Sequence, residues 1–164
     1  MKIYTDGACT VGENGGWAFV TTSGFKSCGG ARGTTNNEME LYAIYSALFH
    51  AKQINADEVH IYTDSAYCIG VFTQWASTWK ANGWKKKGGI KNLDIIRFTY
   101  ALLEELSNVS FHKVKGHSGN PYNESADKLA VQAKHKIDSD DFQESGFFLV
   151  KDEDGEVTQI IFTF

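Results

Sequence analysis

The chain has 164 residues, of which 42% are hydrophobic and 22% charged, with one proline, sixteen glycines and a formal net charge of -4. That length and balance suit one globular domain with a sizeable core and exclude collagen-like, mucin-like and wholly disordered chains. No apolar run is long enough to cross a bilayer and the N-terminus lacks a secretory pattern, so the expectation is a soluble monomer of the cytoplasm, or of the host cytoplasm for a viral source.

In chain order, residues 2–6, 17–22 and 25–31 read as short strands separated by glycine-containing turns, an antiparallel meander. Thr35 and Glu38 have capping-box spacing, and Leu41, Ile44 and Leu48 with Ala43, Ala47 and Ala51 recur at helical intervals, which predicts a helix over about 37–51. Residues 59–63 are β-branched and aromatic, as in a buried strand, and Ser65 behind Asp64 is placed to cap another helix. A Gly- and Lys-rich segment, 82–91, precedes a helix that Asn92 is expected to cap. Residues 109–114 give a further strand, 116–120 a loop, and 121–136 a helix with Ala126, Leu129, Ala130 and Ala133 on its packed side. The order βββαβα…αβα predicts an α/β fold, one mixed sheet with an antiparallel half, a parallel half, and helices on both faces. Cys9, Cys28 and Cys68 are odd in number and lack CxxC spacing, so they are expected to be small buried hydrophobes rather than disulfide partners or zinc ligands.

The charge is unevenly distributed. Residues 1–136 carry fifteen Lys or Arg against twelve Asp or Glu, whereas 137–164 carry one against eight. Within the basic part, Lys80, Lys85, Lys86, Lys87, Lys91 and Arg97 surround Trp75, Trp79 and Trp84, with Asp94 the one acid nearby. Cations interleaved with aromatic rings suit a nucleic-acid backbone, and a solvated lysine face beside core tryptophans is the alternative.

Reacting groups in α/β sheets collect beyond the carboxyl ends of strands, where Asp6 and Asp64 fall. If those strands are neighbours, the two acids meet, with Glu40 early in the following helix and Asp127 on the last one within reach. Several bare carboxylates together need a cation, and all-oxygen ligands suit Mg²⁺ rather than zinc.

Four stretches, Tyr4-Thr5-Asp6-Gly7-Ala8-Cys9, Thr34-Thr35-Asn36-Asn37-Glu38-Met39-Glu40-Leu41, Tyr62-Thr63-Asp64-Ser65 and Gly116-His117-Ser118-Gly119-Asn120 with Asn123-Glu124-Ser125-Ala126-Asp127, together resemble the type I ribonuclease H family over residues 1 to about 136. The resemblance implies a ribonuclease H-like fold with a five-stranded sheet, and hydrolysis of the RNA strand of RNA/DNA hybrids, as in primer or R-loop removal. It also implies two Mg²⁺ ions, with Mn²⁺ as a substitute. It assigns Asp6, Glu40, Asp64 and Asp127 to the metals and His117 to the site beside them. Thr35, Asn36 and Asn37 match substrate-contacting positions, and Trp79, Lys80, Trp84, Lys85, Lys86, Lys87 and Lys91 match the family's basic protrusion. Residues 11–14 depart from the family's Asn-Pro-Gly pattern, leaving Asn14 as a candidate for the contact made there.

Two other readings compete: a structure-selective or exonucleolytic DNA nuclease on the same fold, and a non-catalytic hybrid-binding module. The basic segment with Asn36 and Asn37 argues against the first, and the complete acid set against the second. The acidic extension, 137–164, has no counterpart in the resemblance. Residues 147–150 and 157–164 flank an acidic turn and predict a β-hairpin, packed on the catalytic domain of residues 1–136 or offered to a replication-protein partner.

Overall fold

Side-chain alternation along the strands decides the layering. Ile3, Trp17, Phe19 and Ile61 point to one face of the sheet, and Tyr4, Ala18, Val20 and Cys28 to the other. The computed structural model describes residues 1–10, 13–116, 118–138, 147–151 and 157–161, the last two segments and Asp138 through their backbone alone. Strands β1 (Lys2–Cys9), β2 (Gly15–Thr21) and β3 (Lys26–Ala31) form the antiparallel meander, and β4 (Val59–Thr63) and β5 (Val109–Lys113) add in parallel. Their spatial order is β3-β2-β1-β4-β5.

Helix α1 (Asn36–Gln53) covers the first face and buries Met39, Leu41, Ile44 and Leu48 against it. A second helical run comprises α2 (Ala66–Gly70), one π-helical turn (Val71–Trp75) and α3 (Ala76–Ala81), and α4 (Leu93–Leu106) packs beside α1. Helix α5 (Pro121–Asp138) lies on the opposite face, where Ala126, Ala130 and Ala133 meet Tyr4, Ala18, Val20 and Cys28. The Asn120 side chain caps it, accepting from the Tyr122 and Asn123 amides at 3.0 and 3.1 Å. Among the described residues no helix is long and apolar enough to cross a membrane.

Several details differ from what the sequence predicts. Strand β1 runs on to Cys9 because β2 pairs with it as far as Gly15. Asn92 does precede α4, but in a left-handed conformation (φ 59°) without capping through its side chain, which donates instead to the Tyr67 hydroxyl at 3.2 Å. Cys28 and Cys68 are buried, whereas Cys9 is half-exposed, its thiol donating to the carbonyls of Thr10 and Thr34. Toward the C-terminus, β6 (Phe147–Lys151) and β7 (Val157–Ile161) pair antiparallel, and the backbone of β6 runs beside β3. The turn between them and residues 162–164 lie outside the described residues.

The contact between β1 and α1 depends on Gly7. A Cβ there would stand 2.6 Å from the Glu40 amide nitrogen and 2.8 Å from the Met39 carbonyl carbon, both backbone atoms. Gly7→Ala should therefore move α1 away from the sheet, costing roughly 1–3 kcal/mol in urea unfolding. A midpoint unchanged from wild type would show that the helix does not need this close approach.

Candidate active site

The parallel pairing of β1 and β4 sets Tyr4 opposite Tyr62, so Asp6 and Asp64, two residues beyond each, are level at the carboxyl end of the sheet. Glu40 arrives from the other layer. The Thr35 hydroxyl caps α1 by accepting from the Glu38 amide at 3.2 Å, and the helix then crosses Gly7 with Glu40 above it. One carboxylate oxygen each from Asp6, Glu40 and Asp64 lies within 4.8 Å of the other two. Asp127 on α5 joins them in lining a cavity of about 420 Å³, together with Gly7, Asn36, Asn37, Ser65, Ala66 and Tyr67. Glu38, two residues from Glu40, does not line it.

Burial sets the electrostatics of this cluster. Asp6 and Glu40 are 6% and 4% exposed. Loss of water, together with the neighbouring Asp64 charge, raises Asp6 to about 7, although a hydrogen bond with Glu40 and then the Gly7 amide, which donates to its Oδ1 at 2.9 Å, partly oppose the rise. Glu40 is pushed well above the ordinary carboxylate range, first by burial and then by the charge and hydrogen bond of Asp6. Both acids therefore retain protons that an exposed carboxylate would have lost, Glu40 the more firmly. Glu40 Oε2 is buried without a hydrogen-bond partner. A converging set of carboxylate oxygens, one of them unsatisfied, fits a hard divalent cation, and among the described residues the cluster contains no histidine or cysteine for a softer one.

A second cavity, of about 590 Å³, adjoins the first through Tyr67, which lines both. Trp75, Trp79, Lys86, Lys87 and Lys91 line it with Gly88, Gly89 and Ile90, and the Lys86 ammonium stands 5.8 Å from the centre of the Trp79 ring. Lys85 is exposed nearby in sequence. Lys80 and Trp84 lie apart from this lining. The Lys80 ammonium donates to both carboxylate oxygens of Glu104 at 2.6 and 2.7 Å, and Trp84 packs edge-on against Tyr100 with the Arg97 guanidinium over its ring. Of the three tryptophans, Trp79 and Trp84 lean against the main core and Trp75 is 43% exposed.

Thr35, Asn36 and Asn37 are exposed at the start of α1, and both asparagines border the acid cavity. Tyr67 is a site residue that sequence reasoning missed. Its signal was its place three residues after Asp64, in a helix capped by Ser65, whose hydroxyl accepts from the Cys68 amide at 3.1 Å. His117 lies outside the described residues, as do Val11 and Gly12. Gly116 before it is close to Asp64, since a Cβ on Gly116 would stand 3.0 Å from Asp64 Oδ2.

A family model described as RNase H matches residues 1–135. A ribonuclease H of Treponema pallidum subsp. pallidum is 40% identical, the match covering 83% of this chain and 91% of the relative. One of Rhizobium etli is 45% identical, covering 79% and 88%. Among solved structures, LC9-RNase H1, described as a type 1 RNase H with the type 2 active-site motif, is 28% identical with a TM-score of 0.66, covering 82% of this chain and 72% of that one. The foamy viral protease-reverse transcriptase, solved with dsDNA, is 20% identical with a TM-score of 0.70, covering 82% of this chain and 94% of that one, and bears on the fold alone.

The acid cluster makes the stability of the metal-free protein pH-dependent. With Asp6 near 3.8 when unfolded and about 7 when folded, the folded chain holds more protons between those values, so stability falls as pH rises from about 4 to about 7. Asp6→Asn should flatten that slope and raise stability at pH 8 by about 2 kcal/mol or more. Thermal melts in chelator across this range test it, and parallel curves for the two proteins would refute it.

Proposed function

The chain belongs to the ribonuclease H family, and from that premise we propose that it is an endonuclease that cuts the RNA strand of RNA/DNA hybrids with two Mg²⁺ ions held by Asp6, Glu40, Asp64 and Asp127. The observation that carries this reading is the acid cavity, bordered by Asn36 and Asn37 and joined through Tyr67 to a basic, aromatic cavity. When bound, a divalent pair, of Mg²⁺ or Mn²⁺, supplies Lewis acidity for in-line displacement by water at phosphorus, without a covalent enzyme intermediate.

The protein's own residues do the rest. Asp6 and Glu40 would give up the protons they hold in order to offer ionised oxygens to the ions. Asn36 and Asn37 are suited to the minor groove of the hybrid, where the 2′-hydroxyl distinguishes RNA from DNA, and Thr35 to a phosphate of the DNA strand while it caps α1. Lys86, Lys87 and Lys91 with Trp75 and Trp79 grip the backbone of the hybrid, and Lys85 adds charge beside them. Lys80, engaged by Glu104, and Trp84, packed on Tyr100, contribute through the shape of the segment. His117, in its Gly-flanked loop, relays a proton near neutral pH or aids product release.

Residues 1–136 form the catalytic domain in this reading, and the extension packs on it beside β3; the alternative is a replication-protein contact through its aromatic end. The enzyme acts as a cytoplasmic monomer.

Incubating labelled RNA/DNA hybrid, duplex RNA and duplex DNA with and without Mg²⁺ tests the activity directly. Cleavage should be confined to the RNA strand of the hybrid, require Mg²⁺, and fall below detection in Asp6→Asn and Asp64→Asn while both variants remain folded. Near-normal cleavage by both variants would remove the carboxylates from the reaction, and cleavage of duplex DNA would favour the competing nuclease reading.

Replacing Lys85, Lys86 and Lys87 together with alanine should weaken binding to hybrids of any sequence. For every phosphate left without its lysine, the slope of log affinity against log salt should become shallower by about 0.7–0.9. The rate at saturating hybrid should be nearly unchanged. A wild-type slope would leave these lysines as a solvated face.

A further inference from the structure

The sheet face under α5 is only partly covered. Helix α5 packs chiefly on β1, β2 and β3, with Tyr62 of β4 leaning against the Ala126 cluster, while His60 and His112 stay partly exposed. His60 on β4 and His112 on β5 project from that face, diagonal to each other across the parallel pair. His60 Nδ1 and His112 Nε2 are 2.9 Å apart, the other nitrogen of His60, Nε2, is 2.9 Å from Glu58 Oε1, and the His60 side chain is 25% exposed. The His112 ring stacks on Tyr62 at 4.7 Å between centroids.

We propose that His60 and His112 form a second metal site, distinct from the acid cavity, which takes one copper(II)- or nickel(II)-class ion through His60 Nδ1 and His112 Nε2. Three features support this. The 2.9 Å between the two nitrogens is that of an N–H···N hydrogen bond, so an ion that replaces the bridging proton finds both imidazoles already adjacent, and a site of imidazole nitrogens favours copper and nickel among the divalent ions. Glu58 accepts the Nε2 proton of His60, the carboxylate–histidine arrangement that orients metal ligands; this fixes the tautomer and leaves Nδ1 unprotonated, its lone pair taken up by the hydrogen bond from His112 until an ion replaces that proton. Both histidines stand on adjacent paired strands, and the Tyr62 stack further restrains the His112 ring.

Before the ion binds, His112 Nε2–H donates to His60 Nδ1. On binding, that proton moves to His112 Nδ1, so both ligating nitrogens present lone pairs and both imidazoles stay neutral. Lys2 is in register with His60 on β1 and places a cation nearby, which Glu58 offsets. Waters complete the coordination.

The test is a titration of the full chain with Cu²⁺ in the presence of saturating Mg²⁺, followed by electron paramagnetic resonance and calorimetry. One equivalent should bind with nitrogen hyperfine structure from two imidazoles. His60→Ala and His112→Ala should each abolish that signal while retaining the metal-free melting temperature, and Glu58→Gln should weaken binding about 10- to 100-fold. A spectrum of wild-type protein with oxygen ligands alone, or tight nitrogen-ligated binding that survives either histidine substitution, would overturn the proposal.

Discussion

Three carboxylates crowded within 4.8 Å of one another, two of them almost without water, form a local arrangement that repels itself, and much of the structure serves to hold it in place. No single element accomplishes this. Asp6 and Asp64 are carried two residues past the last paired positions of neighbouring parallel strands, Glu40 by a helix seated on a glycine, and Asp127 by a helix docked through small alanines on the far face. Each carboxylate is fixed by contacts that also bury apolar surface, and that burial offsets the electrostatic cost. The protons retained by Asp6 and Glu40 are the rest of the compensation.

The electrostatics divide the surface into two kinds of recognition. The acid cavity discriminates by charge density and by hard oxygen ligands, so it takes a small divalent ion and excludes a bare phosphate. The neighbouring cavity does the reverse, presenting ammonium groups and aromatic faces. On the proposed function, a hybrid that spans both is attracted by the lysines and needs a cation to approach the acids. The acidic extension, net -7 over residues 137–164, adds a third field of the sign that hybrids avoid.

Much of this was legible in the sequence because the informative residues obey short-range rules. Thr35 caps, Leu41 and Ile44 repeat at helical spacing, and 59–63 alternate and branch as a strand should, so the elements and their order followed from the chain. The acids were legible as a set through their flanking motifs, and the sheet order then brought Asp6 beside Asp64. What remained hidden depends on tertiary partners. Asn92 reads as a cap, yet its amide finds the Tyr67 hydroxyl; the ion pair of Lys80 with Glu104 on α4 joins residues 24 apart in sequence; and the π turn at Val71–Trp75 has no local signature. His60 and His112 look unremarkable 52 residues apart and meet only when β4 and β5 pair.

The hydrogen bond from Asn92 to Tyr67 ties the far end of the lysine-rich segment to the helix that begins beside Asp64. The near end is held by α3, whose Trp79 carbonyl accepts from the Trp84 amide at 2.7 Å. The segment is thus a loop suspended between two fixed posts, and the interval from those posts to the acids is a property of the helix rather than of the loop. Such an arrangement behaves as a ruler. On the proposed function it sets a fixed distance along the bound backbone, whatever the number of residues in the loop.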